Sequence, residues 1–235
     1  MLEGLKTKGF VSLHVDIPKK ICNEVILAYR QFDKSTPLKD KESTTYPIFP
    51  NSKIEFGYEN RLKEKGFDNK SYFHFNPDLL NKDFLNDNLE YKFFIEKANT
   101  LFLLVQKEIK KIIFEISEET KVKIDELLNS DGTPSLNMRI INYKPTAECK
   151  TLAKPHYDWC IMTFAIYETD IGLNFIYENQ KVAIEYKENE IKLFPSKGWS
   201  NYIHARIDAL EHEVENTGEN SERSAIVVFV NPKIY

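Results

Sequence analysis

Lys154-Pro-His156-Tyr157-Asp158-Trp159 organises the rest of the chain, because two later segments read as its partners: Glu211-His212-Glu213-Val214-Glu215-Asn216 and Glu222-Arg223-Ser224-Ala225-Ile226-Val227-Val228-Phe229. Side chains alternate faces in an extended chain, so the His156 imidazole and the Asp158 carboxylate project the same way and Tyr157 projects the other. A second imidazole from a distant strand would complete two nitrogens and one carboxylate on one face of an octahedral metal ion, with positions left open. His212 is the candidate. Glu211, Glu213 and Glu215 share one face of their segment, where three carboxylates ask for water. That turns His212 inward, where a neutral imidazole needs a metal or a hydrogen-bond acceptor. Arg223 opens a run, Ala225 to Val230, that is apolar on both faces, the pattern of a fully buried strand. A guanidinium at the mouth of such a strand keeps its charge. Turned inward, it asks for a carboxylate in bidentate geometry.

The order His-x-Asp, distant His, then Arg resembles the 2-oxoglutarate and Fe(II)-dependent dioxygenases, in particular their isopenicillin N synthase-like branch. His212-Glu-Val-Glu-Asn216-Thr217 is similar to that branch's His-Arg-Val-x-Asn-Thr segment, and Arg223-Ser-Ala-Ile-Val-Val-Phe-Val-Asn-Pro232 to its Arg-x-Ser-x-x-x-Phe-x-x-Pro strand. The resemblance implies that His156, Asp158 and His212 hold Fe(II) and that Arg223 receives the distal carboxylate of 2-oxoglutarate, with O2 as the oxidant. It also implies a double-stranded β-helix. One departure is Ala225, where the family has serine; Ser224 is adjacent but faces the other way. Asn137-Met-Arg139-Ile-Ile-Asn142-Tyr143-Lys-Pro145 resembles the relatives' Arg/Lys-x-Asn-Tyr-Tyr-Pro strand, which makes Asn142 and Tyr143 candidate co-substrate contacts. Alternation puts Arg139, Ile141 and Tyr143 on one face and Asn142 on the other. Which face looks inward is open, and a cross-strand aromatic beside a strand-end Asn would read the same.

Composition sets the outer bounds. At 235 residues the chain suits one domain, 1–235, with an N-terminal region of strand, loop and long helices over 1–133 and a core with the metal site over 134–235. A net charge of -4 offers no general attraction for nucleic acid or anionic lipid. The N-terminus lacks the apolar stretch of a secretory signal, and the apolar runs are broken by Lys and Glu too often to span a bilayer, so a soluble, cytoplasmic protein is the expectation. Cys22, Cys149 and Cys160 form no Cys-x-x-Cys pair, which argues against a disulfide framework or a zinc knuckle. Cys160 continues the His156 and Asp158 face, close to the metal by alternation, and is otherwise a small buried filler.

Along the chain, Gly9 to Val15 reads as a first strand. A helix from Asp16-Ile-Pro18 to about Phe32 follows, with Ile21, Val25, Ala28, Tyr29 and Phe32 on one face. His14-Val15-Asp16 is itself His-x-Asp. It is set aside as a metal site because no arginine follows at the right remove and Asp16 serves better as a helix cap. Residues 35–76 are broken by Pro and Gly and form the expected lid, with His74 structural or superficial. The longest helical signal runs from Asn88 to about Glu119, with an apolar stripe through Phe94, Leu101, Val105, Ile109, Ile112 and Ile116. A second short helix spans about Lys121 to Leu128.

Short strands then follow at Leu136 to Tyr143, Trp159 to Ile166, Leu173 to Tyr177, Val182 to Glu185, Lys192 to Phe194 and Ala225 to Val230. The fold class is therefore α+β, mainly β: a jelly roll of cupin-like form backed by a helical layer. Trp159, Phe164, Phe175, Trp199 and Tyr202 are candidate pocket aromatics, most of them expected to be core. His204 rivals His212, but Ile203 and Ala205 beside it lack the inward-outward contrast.

The family reading implies oxidation, most often hydroxylation, of a C–H bond in a small molecule such as an amino acid or a peptide-like metabolite. Asp158 argues against halogenation, for which the family gives up that carboxylate. Two other readings stand beside it: an Fe(II) oxidase or cyclase that consumes no 2-oxoglutarate and uses Arg223 on the substrate's own acid group, and a noncatalytic jelly-roll binder.

Overall fold

The computed structural model describes residues 1–47, 55–61, 70–80, 88–122, 124–144, 150–203, 205–217 and 222–232. Its helices are α1 (Leu2–Lys8), α2 (Lys19–Ser35), α3 (Leu38–Glu42), α4 (Leu89–Thr120) and α5 (Trp199–Tyr202). Its strands are β1 (Val11–His14), β2 (Tyr46–Pro47), β3 (Glu55–Asn60), β4 (Lys70–Phe75), β5 (Leu136–Tyr143), β6 (Thr151–His156), β7 (Met162–Glu168), β8 (Leu173–Tyr177), β9 (Gln180–Ala183), β10 (Glu190–Pro195), β11 (Glu211–Glu215) and β12 (Arg223–Val230).

Two antiparallel sheets face each other. The larger has the order β1-β10-β7-β12-β5-β4-β3-β2 and the smaller β6-β11-β8-β9. This is the jelly-roll sandwich the strand pattern predicts. Strands from both sides of residue 133 share the larger sheet, so the N-terminal region is woven into it.

The apolar run of β12 explains its central place, between β5 and β7. Ile226, Val228 and Val230 point to a core shared with the helices. Ala225 and, at its edge, Val227 join a second core between the two sheets. Burial on both faces leaves no room for a polar alternation.

The helical layer is held by α4, whose residues 89–120 contain neither Gly nor Pro. The Asn88 side chain accepts a hydrogen bond from the Tyr91 N–H at the start, and Lys121 ends the helix in the left-handed conformation, φ 57°. Its stripe meets α2, where the Phe32 and Phe94 rings stack at 5.7 Å. Asp33, at the end of α2, ties this layer to the sheet. Its carboxylate accepts from Lys41 Nζ at 2.9 Å, Tyr58 Oη at 2.7 Å and Ser71 Oγ at 2.8 Å, and Lys144 Nζ lies 3.1 Å away.

Several local expectations shift. The second helix shrinks to a 3₁₀ turn, Ile124–Glu126. α2 begins at Lys19 behind an extended Pro18, and Asp16 makes no cap. β7 begins at Met162 rather than Trp159, because residues 157–161 turn the chain out of β6 before it enters the larger sheet. β9 lies over Gln180–Ala183, earlier than the apolar residues suggested. His204, Cys149 and much of the expected lid lie outside the described residues.

Candidate metal centre

β6 and β11 are antiparallel neighbours, and His156 and His212 are opposed across them. Their ring centroids are 4.3 Å apart. Asp158, just beyond the end of β6, brings Oδ2 to 3.5 Å from His212 Nε2. One ligand atom from each of the three lies within 4.8 Å of the others, the spacing a shared cation requires.

The imidazoles are set for that task by the backbone. His156 Nδ1 donates to the Lys154 carbonyl at 2.7 Å and His212 Nδ1 to the Leu210 carbonyl at 3.3 Å. With the proton on Nδ1 in each ring, Nε2 carries the free lone pair. Such outer hydrogen bonds orient metal-ligating histidines. His212 is buried, against the Phe194 ring at 4.9 Å, and burial holds its pKa below the ordinary value. A neutral ring is the ligand form. Two neutral imidazoles and a carboxylate, with the rest of the sphere facing a cavity, are a donor set that fits Fe(II).

Asp158 is positioned by a buried relay that the sequence did not announce. Thr163 Oγ1 donates to Asp158 Oδ2 at 2.8 Å, which leaves Ser196 Oγ to donate to Thr163 Oγ1 at 2.8 Å. Cys160 Sγ donates to Ser196 Oγ at 3.3 Å. Burial pushes the Cys160 thiol up to about 12, so it stays protonated. Thr163 and Ser196 sit on β7 and just after β10, in chain positions with no local sequence signal.

A cavity of about 50 Å³ extends from the triad between the sheets. At its inner end is Arg223, 2% exposed, with Tyr143 beside it, the ring centroid 5.0 Å from Cζ. Lys70, from the neighbouring β4, stands over the same ring at 5.7 Å. The guanidinium already has one carboxylate neighbour: Nη2 is 2.5 Å from Glu168 Oε2, both side chains buried. Nε and Nη1 have no hydrogen-bond partner. Burial pushes the Glu168 carboxyl above its usual range, against the pull of the arginine. Gly172, at φ 144°, permits this packing: a Cβ there would come within 2.7 Å of the Glu215 carbonyl and 3.4 Å of Arg223 Nε.

The structure thus gathers His156, Asp158, His212, Arg223 and Tyr143 around one cavity and puts Asn142 elsewhere. Asn142 Oδ1 accepts from Ser224 Oγ at 3.1 Å, on the helix side of the sheet, where Arg30 of α2 donates from Nε to Ser224 Oγ at 3.0 Å. Alternation is the reason, since Asn142 and Ser224 are register partners on the face opposite Tyr143 and Arg223. Ala225 lines the cavity where the related strand carries serine.

The five candidate pocket aromatics do not line the cavity, and three of them are core, as expected for most of the set. Trp159 is 82% exposed beneath the Lys197 ammonium, and Phe164, Phe175 and Trp199 are core. The aromatic lining comes from Tyr143, Phe194 and Phe229. Glu213, expected in water, is buried and ion-paired with Lys181, which reaches it from β9 across the intervening β8. His74 is buried, hydrogen-bonded through Nδ1 to Asn137 Nδ2 at 2.9 Å, and far below its ordinary pKa because of burial. His14 is exposed on β1. Lys70 and Glu168 were missed as cavity residues because pairing across strands brings them in, whereas Arg139 shares the Tyr143 face of β5, whose direction the sequence left open.

No family model matches the sequence, and no curated protein matches it. Solved structures share the fold. Neurospora crassa T7H, in complex with alpha-KG and thymine, superposes with a TM-score of 0.76 at 17% identity, over 99% of this chain and 78% of that one. Arabidopsis thaliana dioxygenase for auxin oxidation 1, bound to 2-oxoglutarate, gives 0.74 at 15% identity, over 99% and 86%. JOX2 in complex with 2OG, Fe and JA gives 0.73 at 20%, over 98% and 70%. The fold is that of the 2-oxoglutarate and Fe(II)-dependent oxygenases. In this chain His156, Asp158 and His212 form a cluster that could hold a metal ion.

Proposed function

We propose that this protein is a non-heme Fe(II)- and 2-oxoglutarate-dependent dioxygenase that oxidises a C–H bond, most simply by hydroxylation, of a small organic molecule, with release of succinate and CO2. The observation that carries it is the meeting of His156, Asp158 and His212 at one cavity whose other end is the buried Arg223. His156 Nε2, His212 Nε2 and an Asp158 oxygen would hold the iron. Bound there, Fe(II) supplies activation of O2 coupled to oxidative decarboxylation of the keto acid.

The chain's own work is positional. The Lys154 and Leu210 carbonyls hold the two rings in the tautomer that leaves Nε2 bare. Thr163 fixes Asp158, so that the ligand geometry exists before the metal arrives. Arg223 and Lys70 supply positive charge for the distal carboxylate of the co-substrate, and Tyr143 walls that end. Phe194, Leu173 and Val214 exclude water between the triad and the arginine.

The pairing of Arg223 with Glu168 favours one second reading, an Fe(II) oxidase that consumes no 2-oxoglutarate, since the arginine already holds a carboxylate of the chain. Anaerobic addition of Fe(II) and 2-oxoglutarate to the protein, followed by visible spectroscopy, tests the first reading. The expected result is the weak charge-transfer band of the chelate, then succinate formation when air is admitted. No band and no succinate sinks it, and substrate oxidation without succinate selects the oxidase.

A further inference from the structure

The cavity holds a cation that the co-substrate reading leaves unused. Arg139, on β5, lies in register with Val227 of β12 on one side and His74 of β4 on the other. Its guanidinium carbon stands 4.9 Å from the Tyr72 ring centroid and 4.6 Å from that of Phe229, so the charge is held between two aromatic faces. Nε is buried and has no hydrogen-bond partner. Among the described residues Arg139 forms no ion pair, although it lines the same cavity as the triad. The cavity's two carboxylates are engaged elsewhere, Asp158 with Thr163 and His212 and Glu168 with Arg223. His74 beside it is neutral, because burial and the Arg139 charge both hold its pKa down.

Aromatic faces attract a guanidinium but cannot accept its in-plane hydrogen bonds, and Arg139, a partly buried side chain, keeps Nε out of water without such a bond, which is destabilising. A planar fork clamped above and below, with its edge free, is an arrangement that receives an oxyanion in the plane. Position separates this site from the co-substrate end. Along the cavity-facing side of β5, Arg139, Ile141 and Tyr143 succeed one another, so Arg139 stands four residues, roughly 13 Å, from the Tyr143–Arg223–Lys70 row. Across the sheet, β12 separates β5 from β7, which carries Thr163 behind Asp158. Two inter-strand spacings, roughly 10 Å, therefore lie between the strand of Arg139 and the strand that backs the metal site.

From this we infer that the substrate is a small organic acid, and that Arg139 binds its anionic group between Tyr72 and Phe229 while Ile141, Val227 and Val214 contact its apolar body. The oxidised carbon then lies several bonds from the acid group, on the triad side. This rests on the dioxygenase reading and names the substrate class of that same cavity.

The test is equilibrium titration of the full-length protein, loaded with Zn(II) and 2-oxoglutarate. The probes are aliphatic, aromatic and heteroaromatic monocarboxylates, each beside its primary amide. A carboxylate that binds at least about tenfold more tightly than its amide is the expected result, since hydrogen bonds to a charged group carry that much discrimination. Arg139→Gln should lose the preference and Arg139→Lys should keep part of it. Both variants should hold 2-oxoglutarate within about threefold of the parent, which also shows that they are folded. The inference is overturned if no carboxylate is preferred to its amide, if Arg139→Gln keeps the preference, or if it loses 2-oxoglutarate to the same degree. Failure of the parent protein to bind 2-oxoglutarate at all would instead overturn the dioxygenase reading.

Discussion

Glu168→Gln separates the two roles open to Arg223. The side chains of the pair are 3% and 5% exposed and meet at 2.5 Å, and no other carboxylate is paired with Arg223 among the described residues. The substitution preserves shape and removes the charge, leaving a guanidinium that cannot deprotonate without its counter-ion. Breaking a buried pair in this way costs about 3–5 kcal/mol. For a chain of this length each kcal/mol lowers Tm by about 2–4 °C, so a fall of roughly 6–20 °C is expected. If the cavity takes 2-oxoglutarate, the ligand's distal carboxylate supplies the missing charge. Its stabilising shift should then be larger in the variant than in the parent, whereas 2-oxobutyrate, which lacks that carboxylate, should not rescue. Thermal unfolding of the Zn(II)-loaded proteins with each keto acid is the assay. A variant that melts within about 2 °C of the parent, or equal rescue by both acids, would refute the reasoning.

Other expectations follow from single contacts. Ala at His156, Asp158 or His212 should abolish iron-dependent turnover, while Arg223→Ala should chiefly raise the 2-oxoglutarate requirement in steady-state kinetics. Thr163→Val, which removes the hydroxyl that holds Asp158 at 2.8 Å, should weaken metal binding by about 10–100-fold in a competitive chelator titration, with the fold intact by circular dichroism. Gly172→Ala places a methyl 2.7 Å from the Glu215 carbonyl at φ 144°, and should lower both Tm and 2-oxoglutarate affinity. Asp33 gives an acid limb. Burial opposes its ionisation, but the bonds from Lys41 and Tyr58 and the Lys144 charge outweigh it and hold the carboxyl at about 2, against an ordinary 3.8. Its folded pKa is depressed, so its contribution is present above pH 3.8 and is lost as pH falls towards 2. It amounts to roughly 2 kcal/mol by linkage. Urea unfolding at stepped pH should show that loss in the parent and not in Asp33→Asn.

What the sequence determined by itself was carried by short-range pattern, though not every such pattern held. The period of α4, the apolar faces of α2, the limits of β5 and β8, and the inward turn of His212 all follow from the geometry of a single helix or strand. The motif with His156 and Asp158 was legible for the same reason, since alternation alone puts both side chains on one face. Only the tertiary structure decided what lies opposite. Glu168 meets Arg223 and Lys70 enters the cavity because β7 flanks β12 and β4 flanks β5, and Arg139 enters it because the Tyr143 face of β5 is the one turned inward. Glu213 is buried and paired with Lys181, which comes from two strands away in the same sheet, where water was expected. Ser196 reaches Thr163 because β10 pairs with β7. Strand pairing joins residues at any sequence separation, and the alternation that sorts one strand into two faces carries no record of which other strand each face will meet.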